Sequence, residues 1–119
     1  MGRASRDKGK RGEREVAQIL RAHGYADAHR GAQYTGNAHD GQDDVTGLPG
    51  WHIEVKRTEA LSIYKAYEQA RRDIEARQQA EPDRAVVIHR RSGKPWLAII
   101  SLNDFLALLD SAGTQQKER

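Results

Sequence analysis

Between Glu13 and His23 the apolar residues Val16, Ala17, Ile19 and Leu20 recur at helical spacing, and Gly24 follows where such a helix needs a stop. Glu13 and Glu15 fall in the first turn, where the helix dipole favours negative charge. At about 100° per residue, Glu13 lies within about 40° of the mean direction of the four apolar side chains, whereas Glu15 points about 120° away. The pattern therefore predicts a first helix that carries Glu13 on its packed side. Residues 29–43, HRGAQYTGNAHDGQD, show no period and are rich in Gly and polar side chains, which predicts a long loop. A strand pair follows, about Asp44 to Gly47 and Trp51 to Arg57, turned by Leu48-Pro49-Gly50. In its second strand Trp51, Ile53, Val55 and Arg57 share one face, and His52, Glu54 and Lys56 share the other. A long helix is expected over about Ser62 to Ala80, with Ile63, Tyr67, Ala70 and Ile74 as its core stripe and Pro82 beyond its end. Two more strands, Ala85 to His89 and Trp96 to Ile100, flank the turn Arg91-Ser92-Gly93-Lys94. A short helix from Asn103 or Asp104 through Leu109 closes the chain. The order is α-β-β-α-β-β-α, a mixed α/β sheet with helices packed on it.

Composition narrows what such a fold can be. At 119 residues with a 37% hydrophobic fraction, the chain suits a single domain with one modest core. Residues 1–11 read as a basic, flexible arm, 12–110 as the domain, and 111–119 as a polar tail. The basic excess is small, 20 Lys+Arg against 17 Asp+Glu, but uneven. Residues 1–14 hold Arg3, Arg6, Lys8, Lys10, Arg11 and Arg14 against only Asp7 and Glu13, which favours a polyanionic partner such as nucleic acid. A solvated basic terminus is the alternative. The absence of cysteine excludes a disulfide framework and a thiolate metal site. No apolar run approaches a membrane span or a signal-peptide core, so a cytoplasmic protein with no membrane partner is expected.

The strand pair carries the candidate chemistry. If the turn is centred on Pro49, antiparallel partners sum to about 98, which sets Asp44 across from Glu54 on one face and turns Asp43 to the other. Opposed carboxylates repel, and a divalent cation with oxygen ligands neutralises them. Mg²⁺ suits one or two carboxylates plus water and substrate phosphate, with Mn²⁺ as a substitute. Lys56, one pleat further on, is placed to offset remaining charge, orient an attacking water or stabilise a pentacovalent phosphate. Glu13 is a candidate outer ligand or base. The alternative on the strand pair alone is an ordinary surface ion pair between Lys56 and either carboxylate, worth about 0 to 1 kcal/mol.

The run Lys8-Gly9-Lys10-Arg11-Gly12-Glu13-Arg14-Glu15 before an apolar helix resembles the N-terminal signature of archaeal Holliday-junction resolvases. Together with Asp44 and the strand Glu54-Val55-Lys56, it resembles a PD-(D/E)XK nuclease of the resolvase-like branch, close to small enzymes often found in phages. The resemblance covers about residues 8–100. It implies a restriction-endonuclease-like fold and metal-dependent hydrolysis of a DNA phosphodiester by in-line attack of water, with branched DNA and recombination intermediates as substrates. It further implies Asp44 and Glu54 as metal ligands, the Val55 backbone carbonyl as another, Glu13 as the acidic residue of the first helix, Lys56 as the lysine, and a homodimer. Gln69 stands where many of these nucleases carry a polar helper, although a solvated helix position accounts for it as well. Three departures stand out. Asp43 replaces the usual proline and becomes the ligand if the turn register shifts by one; the interval from Asp44 to Glu54 is short; and the Gly-rich loop is long.

For DNA contact the candidates are Lys8, Lys10, Arg11 and Arg14 on the basic stretch, Arg30 and Tyr34 in the loop, Arg57 on the motif strand and Arg91 on the second hairpin, beside Arg90 and Lys94. His52 shares the face of Glu54 and Lys56 but is expected to be structural or edge-exposed, and His39, Asp40 and Asp43 to be polar loop residues rather than a second metal cluster. Trp96 and the apolar run to Ile100, with Leu102, Phe105, Leu106 and Leu109, are expected as core or as a dimer surface.

Overall fold

A computed structural model describes residues 2–31 and 43–117. Along the chain run helix α1 (Gly2–Ala22), strands β1 (His29–Arg30), β2 (Val45–Thr46) and β3 (Trp51–Arg57), helix α2 (Ile63–Arg77), strands β4 (Arg84–Arg90) and β5 (Leu97–Ile99), and helix α3 (Leu102–Lys117). The five strands form one sheet in the order β1-β2-β3-β4-β5. Among the described residues only β3 and β4 are parallel; the other neighbours are antiparallel. Parallel neighbours need a crossover connection, and α2 supplies it. The result is the mixed sheet flanked by helices that the pattern predicts, consistent with a restriction-endonuclease-like architecture.

β3 and β4 are buried on both sides, which is why β4 reads as the unbroken apolar run Ala85 to Ile88. On one face Val45, Ile53, Val55 and Val86 pack against Val16 and Ala17 of α1. On the other, Ala85 and Val87 meet Ala66, Ala70 and Ile74 of α2. Burying each of the larger side chains contributes about 1.5–3 kcal/mol. The alanines on α2 do a second job, because their small volume lets the helix lie close to the strands. A close approach is also built into α1: a Cβ at Gly12 would sit 2.9 Å from the Arg57 Cβ, so glycine is what permits α1 to lie against β3 there.

Several boundaries differ from the pattern. α1 starts at Gly2 rather than near Glu13, so residues 2–11, expected as an arm, form its exposed first turns. Ala, Arg and Lys favour helix, but a helix segment polar all round leaves no periodic trace in the sequence. β1 falls in the stretch expected to be loop; two residues carry no period of their own, and pairing with β2 makes the strand. α2 ends at Arg77, where Gln78 turns left-handed at φ 54°. Within its expected core stripe, Ile63 is instead half exposed. α3 continues to Lys117, well past Leu109 and into the expected polar tail. Leu102, Phe105, Leu106 and Leu109 are all exposed on it, which removes the core reading for these four. Among the described residues no helix is long and apolar enough to cross a membrane.

Candidate active site

The turn closes where expected, with the Trp51 N–H donating to the Leu48 carbonyl at 3.1 Å. Val45 pairs with Ile53, a sum of 98, and Asp44 stands one residue before β2. The Asp44 N–H donates to the Ile53 carbonyl at 2.9 Å, and its Oδ2 accepts the Val55 N–H at 2.8 Å. β2 is too short to reach Val55 with its backbone, and the Asp44 side chain takes over that hydrogen bond. Gly31 then donates its N–H to the Asp44 carbonyl at 2.9 Å; a Cβ there would meet the Asp43 carbonyl oxygen at 2.1 Å, so no other residue fits without movement.

Glu13 reaches the same region from α1. Its side chain is 12% exposed and accepts a hydrogen bond from Arg30 Nε at 2.8 Å, whereas the Glu15 side chain is 46% exposed. That contrast follows the helical geometry read from the sequence. Burial, then the charge of Glu54, with a smaller push from Glu13, drives the Asp44 carboxyl up to about 7, against the Val55 N–H and the Lys56 ammonium. The fold therefore brings Glu13, Asp44, Glu54 and Lys56 into one electrostatic neighbourhood with a surplus of negative charge.

Glu54 is held differently. Burial works to raise its pKa, but hydrogen bonds from His52 and Asp73 and the charges of His52 and Lys56 outweigh that and hold the carboxyl below its usual range. His52 is fully buried, with Nε2 2.9 Å from Glu54 Oε1 and Nδ1 against Asp43 Oδ1. Desolvation opposes its charge, yet the hydrogen bonds to Asp43 and Glu54 lift the imidazole to about 9. Asp73 of α2 is raised to about 6 by burial and by sharing a hydrogen bond with Glu54. Arg77, one turn on, places Nη2 2.7 Å from Asp43 Oδ1. Asp43 is thus engaged by His52 and Arg77 rather than turned away from the site, while Asp44 is hydrogen-bonded to Ile53 and Val55.

The sequence reading missed Asp73 and Arg77. Their i, i+4 spacing looks like a solvated ion pair, but a signal was present. At about 100° per residue Arg77 lies within about 50° of the apolar stripe of α2 and Asp73 within about 90°, so both lean toward the sheet.

The remaining candidates are scattered. Lys8 pairs with Glu59 at 3.2 Å, and the Arg57 side chain is 17% exposed with Nη1 3.7 Å from the same carboxylate. Lys10, Arg11, Arg14 and Arg91 are exposed. Arg30 is engaged by Glu13, and Gln69 is exposed on α2. Tyr34, His39 and Asp40 lie outside the described residues.

A divalent cation fits the donor set. Asp44 and Glu54 could supply hard oxygen ligands, and their mutual repulsion is what a cation would relieve. A second grouping, His52, Glu54 and Asp73, has its potential ligand atoms within 4.8 Å of one another. There the imidazole faces a carboxylate oxygen from each ring nitrogen, which leaves it as a hydrogen-bond donor.

The family model described as "Archaeal holliday junction resolvase (hjc)" matches residues 4–108 of the chain. No curated protein and no solved structure matches.

Proposed function

Because the chain belongs to the archaeal Holliday junction resolvase family, within the PD-(D/E)XK superfamily of nucleases, we propose that it hydrolyses phosphodiester bonds in branched DNA with the help of Mg²⁺, which Mn²⁺ can replace. One observation supports the reading: Asp44, hydrogen-bonded to the Val55 N–H of β3, feels the charges of Glu54, Glu13 and Lys56.

In this mechanism Asp44 and Glu54 would hold the cation, with the Val55 carbonyl as a further donor and Glu13 as an outer acidic group. The bound ion supplies Lewis-acid polarisation of the phosphate and lowers the pKa of an attacking water. Lys56 presents an ammonium to the same face, where it orients that water and offsets charge on the pentacovalent phosphate. The Val55 N–H fixes the Asp44 carboxylate and keeps one oxygen lobe directed. Arg30 holds Glu13 in place, so its contribution to DNA grip is indirect. Backbone phosphates are met by the exposed Lys10, Arg11, Arg14 and Arg91, with Lys8 and Arg57 committed to Glu59 in the absence of DNA. Two symmetric cuts need two sites, and the exposed apolar side chains Leu102, Phe105, Leu106 and Leu109 of α3 offer the surface on which two copies pair.

The test is incubation with a labelled four-way junction and a matched linear duplex in Mg²⁺, Mn²⁺ and EDTA, beside Glu54→Ala and Lys56→Ala. Paired, symmetric, metal-dependent cuts in the junction alone, lost in both variants, are the expected result. Equal cutting of both DNAs leaves a nuclease without junction preference. DNA binding with no cutting in any metal overturns the nuclease reading in favour of a binding protein.

A further inference from the structure

We infer that His52 is a positioning residue: it fixes the Glu54 carboxylate and the Asp43–Asp44 segment relative to each other, anchored through Asp43 to Arg77 of α2. This rests on the nuclease reading and adds to it residues that the carboxylate and lysine set does not include.

The argument starts from cost. A fully buried imidazole is unfavourable unless both ring nitrogens are satisfied, and here both face carboxylate oxygens, Glu54 Oε1 at 2.9 Å and Asp43 Oδ1 on the opposite side. Oxygens that only accept require hydrogens on both nitrogens, so His52 donates in two directions. Arg77 Nη2 lies 2.7 Å from Asp43 Oδ1 and 2.8 Å from His52 Nδ1. With a hydrogen on Nδ1, the guanidinium and the imidazole both donate to Asp43. Asp73 adds a contact from the same helix, its Oδ2 3.6 Å from His52 Nε2 and its carboxyl hydrogen-bonded to Glu54.

The connectivity gives this cluster a purpose beyond cohesion. Asp43 precedes Asp44 in the chain, and Asp44 is hydrogen-bonded to Ile53 and Val55, the two neighbours of Glu54 on β3. A bridge from Asp43 to Glu54 therefore spans the two segments that carry the opposed carboxylates. β2 is only two residues long and pairs with β3 through Val45 and Ile53, so its backbone alone specifies that separation weakly. A rigid ring donating to both sides resists the spreading that repulsion between Asp44 and Glu54 favours. Partners behind a metal-binding carboxylate typically change affinity or activity by about 10- to 100-fold when removed.

The experiment compares wild type, His52→Gln and Arg77→Met. Mg²⁺ and Mn²⁺ are titrated calorimetrically into the protein without DNA, junction cleavage is followed against metal concentration, junction affinity is measured in EDTA, and melting is monitored by circular dichroism. For His52→Gln the metal concentration at half-saturation rises by about 10- to 100-fold, excess metal restores most of the cleavage, and junction affinity in EDTA is unchanged. Arg77→Met shifts the metal midpoint the same way by less, and it serves alone if His52→Gln does not fold. Unchanged metal affinity in a folded variant overturns the positioning role while leaving the nuclease reading intact. So does a loss of metal and junction binding in step with a fall in melting temperature. A wild-type protein that neither binds metal nor cuts DNA overturns both readings together.

Discussion

The two faces of β3 are buried to similar extents but by opposite chemistry. Toward α1 it presents Ile53 and Val55 to Val16 and Ala17, apolar groups with no polar obligations. Toward α2 it presents His52 and Glu54, each at or below 5% exposure, among Asp73, Arg77 and Asp43. The first face stabilises the fold by removing hydrocarbon from water. The second gives up part of that stabilisation, because ionised groups lose hydration and recover it only through well-made hydrogen bonds. A strand that needed only to hold the domain together would be apolar on both sides, as β4 nearly is. The difference separates what keeps the protein folded from what the proposed reaction requires.

Substitutions on the two faces should accordingly fail in different assays. Glu54→Gln keeps the side-chain shape and an acceptor for His52 while relieving repulsion with Asp44. Cleavage should fall by about 10²- to 10⁴-fold with no loss of melting temperature. Ile53→Ala, its neighbour on the other face, should cost about 2–5 kcal/mol by denaturant unfolding and lower cleavage only in proportion to the folded fraction. Matching losses of stability and activity in both variants would break the comparison.

Solution pH sharpens it further. Asp44 is raised to about 7 and Asp73 to about 6 in the folded protein, so the folded state holds protons that the unfolded chain releases near pH 4. Their contribution is fully present below that range and lost as pH rises through 6 to 7. Without metal, stability should therefore decline from about pH 4 to about pH 7. Added Mg²⁺ should raise the melting temperature little at pH 5.5 and clearly above pH 7, and a pH-independent increment would argue against a cation at Asp44.

Gly12→Ala probes the apolar side with the smallest effect. Its Cβ would press on Arg57 at 2.9 Å, a cost of about 1–3 kcal/mol, against a helix-propensity gain of about 1 kcal/mol. A melting scan should show a modest net loss, whereas a gain would mean that α1 moves away from β3 freely.

Sequence pattern reached the parts of the site governed by periodicity. The inward direction of Glu13 follows from helical spacing, and the pairing of Val45 with Ile53 follows from a turn centred on Pro49. The polar cluster was harder to read because its members are distant in sequence, 34 residues in the case of Asp43 and Arg77, and each alone suits a solvated surface. His52 is read from the pattern as structural or edge-exposed; it is fully buried, and nothing local announces two carboxylate partners. β1 was illegible for a related reason: His29–Arg30 becomes a strand only because Val45–Thr46 lies beside it.

One feature of the sheet bears on the protein's behaviour in a crowded solution. Its outer members are β1, of two residues, and β5, of three, while the long strands β3 and β4 are interior. Among the described residues neither border strand offers a long row of unpaired N–H and C=O groups onto which another chain could zip, so polymerisation by strand addition finds little template there. Association is left to side-chain surfaces, and these can saturate in a closed pair rather than grow into a fibre.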